Sequence, residues 1–284
     1  MIYADIFRLY FTRWTVQTQS LFEGRALIMT NQERMELAIK AALASGKMLS
    51  EYAEFHVDKK ADKDYVTDAD KASEELIRKI LLEACPEDAF LGEESGVTGD
   101  EQQGVWVVDP IDGTTNFIRK IPPYTISIAY MKGGQPRAAA VYAPLTNEMF
   151  SAYEGGGAFL NGTPIHVSDS TKPIECILGL SFAHRHPVDA EIMFKLIPRL
   201  SLQVNDIRRL GSAAYDLCCV ASGRYDAFIE RKLYIYDIAA GILIAREAGA
   251  VTCGWPDGGD CLLTGDTVAV TPALKDWLLG ELAK

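Results

Sequence analysis

At 284 residues, 48% of them hydrophobic, the chain is long enough to bury a large core and reads as one or two domains rather than three. A net charge of −11 argues against a nucleic-acid-binding surface, and it opposes anionic ligands too unless bound cations reverse the local sign. Six cysteines (Cys85, Cys176, Cys218, Cys219, Cys253, Cys261) show no C-x-x-C spacing, and a chain this large needs no disulfide framework, so they read as reduced in a cytoplasmic protein.

In chain order, residues 1–28 come first. Ile2, Ile6, Phe7, Leu9, Tyr10, Phe11 and Trp14 are apolar, but Asp5, Arg8 and Arg13 interrupt them, so the run is too short and too charged for a membrane span and lacks the layout of a signal peptide. A capping-box pattern, Thr30-Asn31-Gln32-Glu33, directly follows Met29. Met29 is therefore expected to be the natural start and residues 1–28 an extension; the alternative is an amphipathic segment lying on a membrane or a partner. Met35, Ala38, Ile39, Ala42 and Leu49 then predict a long amphipathic helix. Thr67 followed by Asp70 resembles a second capping box, opening a helix through Leu76, Ile77, Ile80 and Leu81 that stops before Pro86. Asp70 is a helix cap or a functional carboxylate, and one residue can serve both ends. Next, Gly92-Glu93-Glu94-Ser95-Gly96 follows the apolar pair Phe90-Leu91, placing carboxylates at a strand end; alone, such a pair usually marks a solvated turn.

The most informative segment is Asp109-Pro110-Ile111-Asp112-Gly113-Thr114-Thr115-Asn116, directly after Val105-Trp106-Val107-Val108. The apolar run reads as a strand buried on both faces, so Asp109 sits where the backbone leaves the core. Pro110 stiffens the exit and Gly113 permits a close approach or a positive φ. If Asp109 and Asp112 face a common centre, their repulsion calls for cations, and hard oxygen ligands select Mg²⁺ or Mn²⁺. The amides of Gly113 and Thr114 would then suit a phosphate. The plainer reading is a capped turn whose aspartates satisfy orphan amides.

Further on, residues 106–153 read mostly as strands, with residues 125–131 turned by Gly133-Gly134 into residues 138–142, an antiparallel signal. Gly155-Gly156-Gly157 is read as a loop or hairpin connection, since a lone glycine cluster is weak support for a nucleotide cradle. Beyond Pro164 strands and helices alternate, with helices around residues 191–200 and 212–221, one after Asp237 and one capped by Thr271-Pro272; that half looks doubly wound. Cys218-Cys219 reads as core packing. His184-Arg185-His186 lacks the neighbours zinc would need and reads as a loop before Pro187 or as a rim of the substrate pocket. Asp237 lies at the mouth of a small-residue helix, residues 238–245, where its bland role is an N-cap.

It is the order of these pieces that is distinctive. Val66-Thr67-Asp68-Ala69-Asp70, Gly92-Glu93-Glu94-Ser95, the octapeptide from Asp109 to Asn116 and Asp237-Ile238-Ala239-Ala240-Gly241 together resemble the inositol monophosphatase family of Mg²⁺-dependent, lithium-sensitive phosphatases. The likeness, spanning roughly residues 35 to 255, includes Gly157-Ala158-Phe159-Leu160-Asn161-Gly162, residues 209–214 and Glu247-Ala248-Gly249-Ala250. It implies an α/β (α+β) fold, a layered α-β-α-β-α sandwich of the inositol monophosphatase and fructose-1,6-bisphosphatase type. It further implies that Glu93, Asp109 and the carbonyl of Ile111 bind one metal, that Asp109, Asp112 and Asp237 bind a second, and that a looser third shares Glu93, with Mg²⁺ as the cofactor and Mn²⁺ as a substitute. Thr114 with Asp70 would orient and deprotonate the attacking water, the amides of Gly113 and Thr114 would hold the phosphate, and no covalent intermediate forms. Glu230 aligns with a glutamate that contacts a ring hydroxyl in inositol-specific relatives and Ala213 with a small residue of the same pocket, whereas Tyr236 replaces a tryptophan frequent before the last metal ligand.

The expected organisation is a metal-binding α+β domain with an antiparallel sheet over residues 29–164 and an α/β domain completing the site over residues 165–284. The expected function is Mg²⁺-dependent hydrolysis of inositol monophosphate or a related small polyol phosphate by a homodimer, with no membrane span and no nucleic acid as primary ligand. Alternatives within the same chemistry are a 3′(2′),5′-bisphosphate nucleotidase, a fructose-1,6-bisphosphatase and a histidinol-phosphatase. An alternative of another class is a regulatory binding protein whose phosphatase activity is incidental.

Overall fold

The computed structural model describes residues 29–284 except 53, 54, 62, 63, 101, 184, 185 and 257, so the expectations for residues 1–28 and for His184 and Arg185 fall outside the described residues. The described chain runs α1 (Asn31–Glu51), β1 (Val57–Ala61), β2 (Asp64–Thr67), α2 (Asp68–Ala84), β3 (Ala89–Gly92), β4 (Gly96–Thr98), β5 (Val105–Asp112) and the short α3 (Thr114–Arg119). It continues through β6 (Thr125–Lys132), β7 (Gln135–Ala143), β8 (Glu148–Tyr153), β9 (Gly157–Leu160), β10 (Thr163–Ile165), β11 (Ile177–Leu180), α4 (Pro187–Ser201), β12 (Asp206–Arg208) and α5 (Ala213–Ala221). It closes with β13 (Ala227–Glu230), α6 (Ile235–Glu247), β14 (Val251–Gly254), α7 (Cys261–Thr264), β15 (Thr267–Val270) and α8 (Lys275–Leu282).

Local chemistry sets the helix starts. Thr30 accepts the Glu33 amide at 3.2 Å while Glu33 accepts the Thr30 amide at 2.8 Å, and Thr67 and Asp70 make the same reciprocal pair at 3.3 and 2.7 Å, so each capping box satisfies two donors that a helix leaves open. Pro187, which fits the first turn because it needs no amide partner, opens α4.

Five layers follow from what each face buries. The strand order of the large sheet is β10-β9-β8-β7-β6-β5-β3-β4, antiparallel throughout except for the parallel pair β3–β5. One of its faces (Trp106, Val108, Ile128, Tyr142) packs on Leu37 and Ile39 of α1 and Ile77 and Leu81 of α2. The alternate residues Val107, Ala129, Val141 and Phe150 face the other way, onto α5 and α6 through Leu217 and Ile242. Those helices also touch Phe228 and Ala269 of the second sheet, whose far face (Leu178, Ile229, Val268) is covered by Met193, Leu196 and Leu200 of α4 and Leu278 of α8. This is the α-β-α-β-α sandwich. The second sheet, ordered β12-β11-β13-β15-β14, is doubly wound only in part: β12, β11 and β13 run parallel, but β15 is antiparallel to both β13 and β14. All six cysteines are free and buried, and no helix among the described residues is long and apolar enough to cross a membrane.

Candidate active site

The site grows from a fault in the sheet. β5 pairs with β6 as Asp109↔Ser127 and then Asp112↔Thr125, so Pro110 and Ile111 together oppose Ile126 alone. In a regular strand, residues three apart point to opposite faces; the extra residue of the bulge re-aims the chain, and proline, lacking an amide, is tolerated there. Asp109 and Asp112 are thereby brought together. With Asp237 they offer carboxylate oxygens that all lie within 4.8 Å of one another. Glu93 joins them because β3 and β5 are parallel and register Gly92 beside Val108, which puts Glu93 next to Asp109 at the same sheet edge.

Each carboxylate is held by the chain itself. Asp109 Oδ1 accepts the Ile111 amide at 3.0 Å. Asp112 Oδ2 accepts the Ser212 hydroxyl at 2.6 Å and the Ala214 amide at 2.8 Å, at the N-terminus of α5, with the Thr125 hydroxyl at 3.4 Å. Asp237 Oδ2 accepts the Tyr234 amide at 2.7 Å; the helix begins at Ile235 with Tyr234 as its N-cap, so Asp237 caps it from the third helical position and is not the N-cap expected of it. Asp70 is fully buried beneath this layer, its Oδ2 accepting the Thr67 amide at 2.7 Å and the Thr67 hydroxyl at 2.6 Å. The Thr114 hydroxyl lies 3.5 Å from Asp70 Oδ1 and 3.2 Å from the Ile111 carbonyl. Gly113, at φ +92°, starts α3; a Cβ there would come within 3.1 Å of the Gly211 carbonyl, so only glycine lets these segments approach.

Burial and mutual repulsion act on the cluster together. Burial first, then the charges of Glu93, Asp112, Asp237 and Asp70, hold the Asp109 carboxyl well above the usual carboxylate range. Asp237 is raised in the same way by burial and then by Asp112. Asp112 is pushed up to about 6 by burial, against the lowering effect of Ser212 and the Ala214 and Ala213 amides. Like carboxylates crowded into a dry site without a counter-charge are unfavourable, and an all-oxygen set is what Mg²⁺ and Mn²⁺ take. The donors present fit such ions.

These groups open on a cleft of about 510 Å³. Glu93, Asp109, Ile111, Asp112, Gly113, Thr114, Ala213, Glu230 and Asp237 all line it; Asp70 reaches it only through Thr114. His186, the described member of the histidine pair, lines the cleft as well. The sequence reading missed the basic wall. Arg209, Arg231 and Lys232 stand there, and Arg231 is held by Asp189 at 3.2 Å and Asp266 at 3.0 Å. Lys232 sits at φ +62°, an uncommon setting for a side-chain-bearing residue, beside the Glu230 that was singled out. The only signal for that wall was the run Glu230-Arg231-Lys232 at a strand end.

Comparison with known proteins places the chain in context. The profile of the inositol monophosphatase family matches residues 30–284. The Nus factor SuhB of Xylella fastidiosa is 40% identical over 223 residues, covering 77% of this chain and 81% of its own. The inositol-1-monophosphatase of Mesorhizobium japonicum is 36% identical over 261 residues, covering 90% of this chain and 98% of its own. Among solved structures, the extragenic suppressor protein suhB of Bartonella henselae superposes with a TM-score of 0.85 at 35% identity, over 88% of this chain and 98% of that one.

Proposed function

Because the chain belongs to the inositol monophosphatase family, we propose that it is a Mg²⁺-dependent phosphomonoesterase acting on inositol monophosphate or a related small polyol phosphate. The observation that carries this reading is the convergence of Asp109, Asp112 and Asp237 within 4.8 Å at the mouth of a cleft that also presents Thr114 over Asp70. Glu93, Asp109, Asp112, Asp237 and the Ile111 carbonyl would hold two Mg²⁺ ions, with a looser third on Glu93 and Mn²⁺ as a substitute. Bound there, such ions neutralise phosphate charge and polarise the reacting oxygens.

The chain's own residues do the rest. The Gly113 and Thr114 amides donate to the phosphate. The Thr114 hydroxyl orients the attacking water, and Asp70, kept dry and fixed by Thr67, accepts the proton that passes through it. Water attacks phosphorus directly as the ester P–O bond breaks and the departing alcohol takes up a proton from solvent, so phosphate and alcohol are released and no phosphoenzyme forms. Ala213 leaves room for the alcohol and Glu230 accepts from one of its hydroxyls. Arg209, Arg231 and Lys232 add basic groups to the cleft lining, of which Arg231 and Lys232 already share Asp189 and Asp266, so the bound cations carry most of the charge compensation for an anionic ester.

Asp109→Asn or Asp237→Asn is expected to leave a folded chain with Mg²⁺-dependent phosphate release reduced by orders of magnitude; full activity in either sinks the assignment. Thr114→Ala slows turnover while metal-induced thermal stabilisation persists, and a loss of both together shows that the water-orienting role is wrong. The substrate is found by a phosphate-release screen over inositol 1-phosphate, fructose 1,6-bisphosphate, histidinol phosphate and 3′-phosphoadenosine 5′-phosphate, with Mg²⁺ and with or without Li⁺. A second reading, a regulatory factor, is favoured by relatives whose name is Nus factor. Silence on all four esters moves the weight to it.

A further inference from the structure

The first turns of α2 carry three buried polar side chains on one face, Asp70, Ser73 and Glu74, at the spacing that stacks residues along a helix. Each grips a different part of the site. Asp70 meets Thr114, and the Ser73 hydroxyl, paired with Ser45 at 2.6 Å, lies 3.2 Å from the carbonyl of Pro110 in the bulge. Glu74, only 4% exposed, accepts the amides of Glu94 at 2.8 Å and Ser95 at 2.9 Å, one on each oxygen. Those are the two amides that follow Glu93, whose own amide donates to the Val108 carbonyl at 3.1 Å. The backbone on both sides of Glu93 is thus tied down, to the sheet before it and to Glu74 after it. Gly92 completes the fit, since a Cβ on it would lie 2.4 Å from the Glu74 carboxyl carbon, and its backbone is not in the left-handed region.

We propose that Glu74 is a positioning residue for the metal site: its carboxylate fixes the Glu93–Ser95 turn so that Glu93 reaches the ion it shares with Asp109. The inference rests on the metal assignment proposed above. A carboxylate that is nine-tenths buried and spends both oxygens on amides next to a ligand orients that ligand, and disturbing groups of this kind costs about ten- to a hundredfold in metal affinity. Glutamine at this position keeps the shape but turns an NH₂ donor towards one of the two amides.

The test measures Mn²⁺ binding by electron paramagnetic resonance in the full chain, with phosphate release against Mg²⁺ alongside. Glu74→Gln is expected to weaken the Mn²⁺ site that Glu93→Gln weakens, by about tenfold or more, and to raise the Mg²⁺ needed for half-maximal rate more than it lowers the rate at saturation. Because Glu74 acts through Glu93, the double variant binds Mn²⁺ no more weakly than Glu93→Gln alone, which a merely structural role would not produce. Gly92→Ala pushes on the same carboxylate from the opposite side and reproduces the effect should Glu74→Gln fold poorly. If Asp109→Asn and Glu93→Gln lose Mn²⁺ but Glu74→Gln and Gly92→Ala bind it like the original chain, or if the Glu74 and Glu93 effects add, the proposal is overturned and the metal assignment stands. If neither Asp109→Asn nor Glu93→Gln alters Mn²⁺ binding, the metal assignment itself falls, and the role of Glu74 with it.

Discussion

A single oxygen of Asp112 shows how finely the site is tuned at the level of residues. Oδ2 collects a hydroxyl from Ser212 and an amide from Ala214, partners 100 and 102 residues away in the chain, and these bonds oppose the burial that drives the carboxyl up to about 6. Removing the hydroxyl by Ser212→Ala favours the protonated acid. A hydrogen bond to a charged group contributes about 1.5–3 kcal/mol, and 1.4 kcal/mol corresponds to roughly one pH unit. The variant is therefore expected to shift the pH midpoint of Mg²⁺ affinity upward by about one to two units, read from Mg²⁺ titrations across a pH series; an unmoved midpoint means that Ser212 does not support Asp112. The aspartate stood out in the sequence because proline, glycine and a second aspartate surround it. Its supporting donors did not, because serine and alanine before a helix look like an ordinary cap until the fold brings them beside β5.

At the scale of elements, what the sequence showed well was whatever a few consecutive residues decide. The capping boxes at Thr30 and Thr67 and the doubly buried strand Val105–Val108 are local patterns, and the structure has them. The bulge at Pro110 and the reversed direction of β15 were hidden, since a register shift depends on the partner strand and strand direction on the path of the connection. Glu74 was hidden for a different reason: it reads as surface, although it shares the helix face of Ile77 and Leu81. A charge on an apolar stripe was the available signal. The small residues of the helix that carries Asp237 let it pack closely at Gly241, where an added Cβ would lie 2.7 Å from the Leu217 Cβ across the α5–α6 contact. Gly241→Ala gains roughly 1 kcal/mol in helix propensity, yet overpacking of a rigid contact costs about 1–3 kcal/mol. A net loss of stability is expected, measured as a lower denaturant midpoint with unchanged slope. A raised midpoint would show that the two helices can slide apart without strain.

For the whole molecule, the acidic cluster makes stability depend on metal and on pH together. Asp109, Asp112 and Asp237 all have folded-state carboxyls raised above the ordinary value. Groups of that kind favour the fold fully below the unfolded pKa, near 3.8, and for Asp112 this contribution is lost as the pH rises through about 6. Without metal, then, the folded chain carries unrelieved repulsion at neutral pH. Divalent cations reverse this only where the carboxylates are ionised, because at lower pH each bound ion must displace protons. With Mg²⁺ at about a hundred times its dissociation constant, binding contributes roughly 2.7 kcal/mol, which in a chain of this size raises the melting temperature by about 4–5 °C. That shift is expected at about pH 8. Near pH 5, one unit below the Asp112 value of about 6, displacing the Asp112 proton costs about tenfold in affinity, so the same Mg²⁺ concentration gives about half the shift. Asp109→Asn separates the two effects, since it removes a repelling charge and a ligand at once. At pH 8 it is expected to melt higher than the original chain in EDTA and to gain little from Mg²⁺. A variant that melted lower in EDTA, or a Mg²⁺ shift equal at both pH values, would mean that the three aspartates stabilise the fold rather than hold it under strain for a cation.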